Sequence, residues 1–371
     1  MAISAYTSDK IKILGLILTV FVVFHHAHNL QFATSEIHAG VRYTESFFHY
    51  GLRGFAVPFF FIASAYFLCA RSGFLRAYPG EVRKRVSSLL VPFVVWSAGW
   101  LLVMMALQSV PALGGSFGRE TISFADPVGI VRLLTLDPIP HPLWYMRDLF
   151  LLAILSPLIV ALLSTRTGAV AYVAGSLALW YSVPSIQQRE VQDLFFFGVG
   201  AWLAIHQPKI PAVPLGAKLF LLAGSLGLIG YHCWWVENKQ VETQFLLNTG
   251  VLLGLPALWL LYDDVAEYLH TPRTVRASEY ALFIYMAHEP TLSLVRKAMI
   301  MVTGGGSAAL AVVWIASGTL IIAGAVATAW LLRTYAGPVY GVLTGGRVPT
   351  RAARPEASSP SPNQAPALVP A

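Results

Sequence analysis

The sequence predicts an all-α, polytopic membrane protein of about ten transmembrane helices, with both termini in the cytoplasm. Three observations carry this expectation. Of 371 residues, 56% are hydrophobic and only 12% are charged, about half the charged share of an average soluble domain. The apolar residues gather in runs near 11–30, 50–70, 88–110, 143–163, 166–184, 216–236, 245–262, 279–298 and 308–332, comparable to the ~20-residue helix that a bilayer requires. A shorter run at 193–206 is counted as a tenth because the alternation of loops needs an even number of crossings. With the N-terminus inside, 16 Lys and Arg fall on the cytoplasmic side, Lys10, Lys12, Arg83, Lys84 and Arg85 among them, and 7 fall outside, including Arg296 and Lys297. That asymmetry is the positive-inside pattern.

The net charge of +7 therefore reads as a topology signal, and with no nucleic-acid motif present that class of partner is set aside. Cys69 and Cys233 fall near opposite faces of the membrane, which argues against a disulfide, and no zinc-like spacing exists. The first apolar run is too long for a cleavable signal and lacks a small-residue cleavage site, so it reads as a retained helix. One membrane domain is expected over 1–347, followed by a Pro-, Ala- and Ser-rich tail, 348–371, that reads as disordered and cytoplasmic. The loop at about 111–142, rich in Gly, Pro and Asp, is a candidate cap over the outer face. Gly250 and Gly254 form a small-xxx-small pair suited to helix packing.

Ionisable residues within the bilayer are costly and mark functional positions. His25, His26 and His28 end the first helix and precede Asn29; Arg53 opens the second; Arg147 and Asp148 lie near the start of the fourth; His288 and Glu289 lie near the middle of the ninth. The predicted orientation brings them together between the midplane and the outer leaflet. Structural readings stand beside the functional ones. His25 and His28 suit an interface, Arg53 suits a clamp on a helix end, and His288 with Glu289 suits a satisfied buried network. Pairing of Arg147 with Asp148 is not expected, because adjacent helical residues point about 100° apart. Three histidines within four residues raise a metal, but no carboxylate stands at ligand spacing on that helix, and no metal site is assigned.

Six segments in order carry a resemblance: FVVFHHAHN (21–29), GLRGFAVPFFFIASAYFL (51–68), RKRVSSLLVPFVVW (83–96), HPLWYMRDLFLLAILSPLI (141–159), YALFIYMAHEP (280–290) and GVLTGGR (341–347). Together they resemble the acyltransferase-3 family of membrane acyltransferases, which move acyl groups from coenzyme A to hydroxyls of sugars and related acceptors. The resemblance implies a bacterial, multi-pass inner-membrane enzyme with acyl-CoA, acetyl-CoA first, as donor and a carbohydrate or envelope glycan as acceptor. Register with Asn29 points to His26 as the general base, and a histidine suits that role at neutral pH. Asn29 would orient it or cap the helix, and Arg53 or Arg147 would stabilise the carbonyl oxygen as it gains charge. Lys12, Arg83, Lys84, Arg85 and Ser64 are candidates for the donor, and Trp144, His288 and Glu289 for substrate or support. Two positions depart from the family: Gly15 stands where a basic residue is common, with Lys12 nearby, and Ala65 replaces the small residue, usually Gly, after Ser64. The alternatives are a transporter of a small anion or sugar derivative, and a non-catalytic partner in glycan assembly. Pro58 and Pro290 favour the transporter, and the lack of repeated halves opposes it.

Overall fold

Lipid cannot hydrogen-bond a backbone, so each long apolar run folds as a helix that satisfies its own amides and carbonyls. The computed structural model describes residues 3–70, 74–110, 122–183, 188–241 and 243–346. The expected tail at 348–371 and residues 111–121 of the expected outer cap lie outside these. All regular secondary structure among the described residues is helical, with no strand among them.

In chain order the helices are α1 (Ala5–His26), α2 (Ala39–Ser46), α3 (Arg53–Cys69), α4 (Phe74–Arg85), α5 (Val91–Gln108) and α6 (Pro127–Thr135). Next come α7 (Trp144–Leu163), α8 (Arg166–Ser182), α9 (Gln188–His206), α10 (Leu215–Lys239) and α11 (Gln244–Asp264). The chain continues with α12 (Ala266–Leu269), α13 (Pro272–Ser278), α14 (Ala281–Ala287), α15 (Thr291–Thr303), α16 (Ser307–Tyr335) and α17 (Gly337–Thr344). Local chemistry sets several starts. Ser4 Oγ accepts the Thr7 amide at 3.1 Å ahead of α1, and Thr165 Oγ1 accepts the Gly168 amide at 3.1 Å ahead of α8. Asp126 Oδ1 accepts the Gly129 amide at 2.9 Å with Pro127 in the first turn of α6. These are side-chain caps on donors that a helix start leaves unpaired.

Seven stretches among the described residues are long and apolar enough to cross a bilayer: Ala5–Phe32, Ala39–Cys69, Phe74–Gln108, His141–Leu163, Leu215–Lys239, Gln244–Asp264 and Ser307–Tyr335. The expectation of about ten meets seven clear spans and three weaker elements. One is α8, with 17 residues; another is the apolar stretch Val191–His206 of α9. The third corrects the sequence reading. The run 279–298, expected as one crossing, is two short helices, α14 and α15, separated at His288–Pro290. Proline lacks the amide and crowds the carbonyl four residues back, so Pro290 ends one helix and starts another. Pro58, by contrast, is absorbed within α3.

The main core joins α1, α3, α7, α9, α10 and α11, with Phe55, Phe61, Met146, Leu163 and Phe197 wholly buried. A second core unites the far half of α1 with α14, α16 and α17 through Val23, Phe283, Trp314 and Tyr340. Cys69 and Cys233 are both free and buried. The Gly250/Gly254 pair does pack helices: a Cβ on Gly254 would lie 2.3 Å from Phe55 Cε1 and 2.4 Å from Ser225 Oγ. Ser225 Oγ in turn donates to Gly250 O at 2.6 Å, tying α10 to α11. Gly254→Ala is expected to lower the thermal unfolding midpoint in detergent by several degrees, since overpacking costs roughly 1–3 kcal/mol. Gly227→Ala, where a Cβ meets nothing within 4 Å, should leave the midpoint unchanged or raise it, because Ala is the better helix former.

Candidate active site

At the end of α1 the tandem histidines take different surroundings. His25 Nδ1 lies 2.9 Å from His49 O, and His49 Nδ1 lies 3.0 Å from His25 O. A carbonyl only accepts, so both Nδ1 atoms carry protons and donate. His49 comes from the π-helical turn Phe47–Leu52 that leads into α3. His28 stacks on His49 with ring centroids 4.1 Å apart, and its Nδ1 is 3.5 Å from Glu45 Oε2. His26 turns elsewhere, its ring 5.1 Å from that of His288. His288 is fully buried, at 0% exposure, and its Nδ1 donates to Tyr285 O at 2.6 Å. In the neutral ring this leaves Nε2 as the acceptor nitrogen, and Nε2 has no hydrogen-bond partner among the described residues.

His26 lines a cavity of about 370 Å³, together with Met104, Ile139, His141, Pro142, Glu289, Pro290, Ser293, Leu294 and Lys297. The helix break exposes this wall, and irregular backbone at membrane depth is tolerated where it faces protein or a cavity. Ser293 Oγ donates to Glu289 Oε1 at 3.0 Å. Of the other expected residues, Arg53 is exposed on the first turn of α3 and within electrostatic reach of His25, His26 and His49. Asn29 is fully buried, but its Nδ2 donates to Leu310 O at 3.0 Å rather than to His26. Trp144 opens α7 half-buried against the main core, outside the cavity wall.

Arg147 overturns an expectation. Its Nε donates to Asp148 Oδ1 at 2.6 Å, and its Nη1 to Leu136 O at 2.8 Å. Adjacent side chains diverge at Cβ, but a long arginine folds back along its own helix and pairs through Nε. Arg147 thereby holds the segment after α6 that leads to Ile139 and Pro142 of the cavity.

A second cavity, about 620 Å³, opens at the other end of α1. It is lined by Ile3, Phe67, Ala70, Glu81, Lys84, Arg85, Ser87, Ser88, Gly345 and Gly346. Lys84 Nζ bonds Glu81 Oε1 at 3.0 Å. Gly345 has φ +68° and a Cβ there would fall 2.5 Å from Ser88 Cα, so no side chain fits at that wall. Arg83 is exposed outside the lining, and Lys12 pairs with Asp9 at 2.8 Å. Ser64, one turn before Phe67 on α3, lies 3.3 Å from Tyr145 Oη. From Tyr145 the rings of Tyr285, His288 and His26 follow at 5.9, 6.0 and 5.1 Å. Among the described residues no group of three or more His, Cys, Asp or Glu is arranged to hold a metal ion.

The family described as "Acyltransferase domain" matches residues 10–334 of the chain. The chain belongs to the acyltransferase-3 family. It is a multi-pass membrane acyltransferase, and the transporter alternative gives way to that finding. The chain is also similar to the succinoglycan biosynthesis protein ExoH of Rhizobium meliloti (strain 1021), at 24% identity over 353 residues that cover 92% of this chain and 93% of the relative. No solved structure matches.

Several polar groups of this acyltransferase escaped the sequence reading, and two of them, His141 and Ser293, line the smaller cavity. His49, His141 and Ser293 carry no signal beyond residue type. Lys10 was counted only as a cytoplasmic charge, yet it is 2% exposed. Its Nζ bonds both Asp263 oxygens at 2.8 Å and sits 4.0 Å from the Trp259 ring centroid. Two charges at opposite ends of distant apolar runs were the only hint. Lys10→Met is expected to lower the unfolding midpoint in detergent by several degrees, whereas Lys12→Met, which breaks an exposed i,i+3 pair of small worth, should shift it by no more than about 1 °C.

Proposed function

We propose that this acyltransferase moves an acyl group, acetyl first, from acyl-CoA to a hydroxyl of a sugar in a cell-envelope glycan, with His26 as general base. The observation that carries the reading is the His26 ring in the wall of the 370 Å³ cavity, beside a neighbour, His25, that is committed to the His49 carbonyl. A relative named for succinoglycan biosynthesis supports a glycan acceptor. In this reading α8, α9 and the broken α14–α15 pair complete ten crossings of a bacterial inner membrane, with both ends in the cytoplasm. The cavity at His26 then faces outward and the one at Lys84 and Arg85 faces the cytoplasm.

Coenzyme A is a phosphorylated cytoplasmic donor, and its phosphates pair with Lys84 and Arg85, with Lys12 and Arg83 adding positive potential from exposed positions. The arm bearing the thioester runs inward past Ser64, Tyr145 and Tyr285. Lys12 and His26 are fourteen residues apart on α1, roughly 21 Å along a helix, so a long arm is required. At His26 the acceptor hydroxyl gives its proton to the imidazole while its oxygen attacks the thioester carbon. The carbonyl oxygen takes on negative charge, which Arg53 stabilises. The carbon–sulfur bond then breaks, and the imidazolium returns the proton to the leaving thiolate, giving an ester and free coenzyme A. His288 and Glu289 support the base and the acceptor, Trp144 backs Tyr145 from outside the cavity wall, and Arg147 and Asn29 hold the surrounding backbone.

The test uses purified protein, acetyl-CoA labelled in the acetyl group and an envelope-glycan extract. His26→Ala is expected to reduce thiol release and label transfer by about 10²–10⁴-fold, the usual weight of a general base; equal activity in both proteins would move the assignment to another histidine. Replacing Lys84 and Arg85 together by Ala should raise KM for acetyl-CoA by roughly tenfold while kcat stays within about threefold, the pattern of lost ground-state binding. An unchanged KM would remove the larger cavity from donor recognition.

A further inference from the structure

The last carbonyls of α1 meet partners from four different places. Val23 O accepts the amide of Ala27 in the helix itself. Phe24 O accepts Trp314 Nε1–H at 3.1 Å, and His25 O accepts His49 Nδ1–H at 3.0 Å. His26 O accepts Arg296 Nη1–H at 2.7 Å, and the same nitrogen also donates to His28 O. The end of any helix leaves carbonyls without intrahelical donors, and a cation there is also favoured by the helix dipole. Arg296 is therefore no loop charge of the outer face, as charge counting had it. It is 8% exposed and lies within electrostatic reach of Glu45 and Glu289. Glu45 holds the other side of the same turn, its Oε2 accepting the Asn29 amide at 3.0 Å.

Arg296 stands on α15, the helix that also builds the wall opposite His26 with Ser293, Leu294 and Lys297. Neighbours on a helix diverge by about 100°, so α15 turns Lys297 to the cavity and Arg296 to the backbone of the histidine. We propose that Arg296 is a positioning residue: by clamping the carbonyls of His26 and His28, it fixes the His26 imidazole relative to the acceptor wall carried on the same helix. This rests on the acyl-transfer reading above. A backbone shift of about 1 Å at a reacting group costs on the order of 10²-fold in rate, with ground-state binding of the donor, at the far end of α1, left intact.

The experiment compares wild type, Arg296→Lys, Arg296→Gln and His26→Ala in full-length purified protein, reading kcat, KM for acetyl-CoA and the thermal midpoint. Lysine keeps the charge but lacks the forked guanidinium. The expected result for Arg296→Lys is a midpoint near that of wild type, a KM within about threefold, and kcat lowered by roughly 10–100-fold, with Arg296→Gln lower still. Full kcat in either variant, or recovery of kcat together with the midpoint in Arg296→Lys, would overturn the proposal and leave Arg296 a structural cap. So would failure of both variants to give monodisperse protein, which assigns the residue to folding. Undiminished activity in His26→Ala would instead overturn the acyl-transfer assignment of His26, a separate failure that the same set of proteins reveals.

Discussion

Hydrocarbon supplies no hydrogen bonds, so a helix that ends inside a membrane protein must have its final carbonyls paired by the protein itself. The end of α1 depends on this more than any other place in the fold. Trp314 from α16, His49 from the turn before α3 and Arg296 from α15 each satisfy a different carbonyl of its last turn. Those three contacts bring three distant parts of the chain to one point, and that point is where His26 meets the cavity. The same rule places Trp96 Nε1, 3.1 Å from Leu343 O, between α5 and α17. Polar pairing thus decides which helices converge, and apolar packing fills the space between them.

The break at Pro290 is the second determinant. A continuous helix over 279–298 would present a closed cylinder to α1. Interrupted, it offers Glu289, Ser293 and Lys297 to a cavity and keeps His288 buried behind His26. Arg147, outside the wall, anchors the segment after α6 through the Leu136 carbonyl. The wall is consequently assembled from segments that are each anchored outside it.

Much of the fold was legible because bilayer thickness imposes a length and lipid imposes a composition; seven apolar runs meet both. The run 279–298 has the composition of a span, and Pro290 alone records that its helix is interrupted there. Positive-inside counting assigned Arg296 and Lys10 to the membrane faces, since it weighs position along the chain and has no knowledge of partners. Their partners, the His26 carbonyl and Asp263, are some 250 or more residues away. Register with Asn29 favoured His26 over His25, but the contact that sets them apart, the reciprocal pairing of His25 with His49, leaves no mark in the sequence. Arg147 was misjudged on local geometry alone, because side-chain length was left out of the angle argument.

The two cavities have no lining residue in common, and α1 separates them end to end. One wall is drawn from α3, α4 and the turn after α17, the other from α5, α15 and the segment before α7. Natural variation can therefore act on one half without disturbing the other. A substitution at Ser293 or Lys297 changes one wall and leaves Lys84, Arg85 and Gly345 of the other in place. The two linings alternate along the sequence, so the helical bundle, and not chain order, sorts their residues to opposite ends of α1.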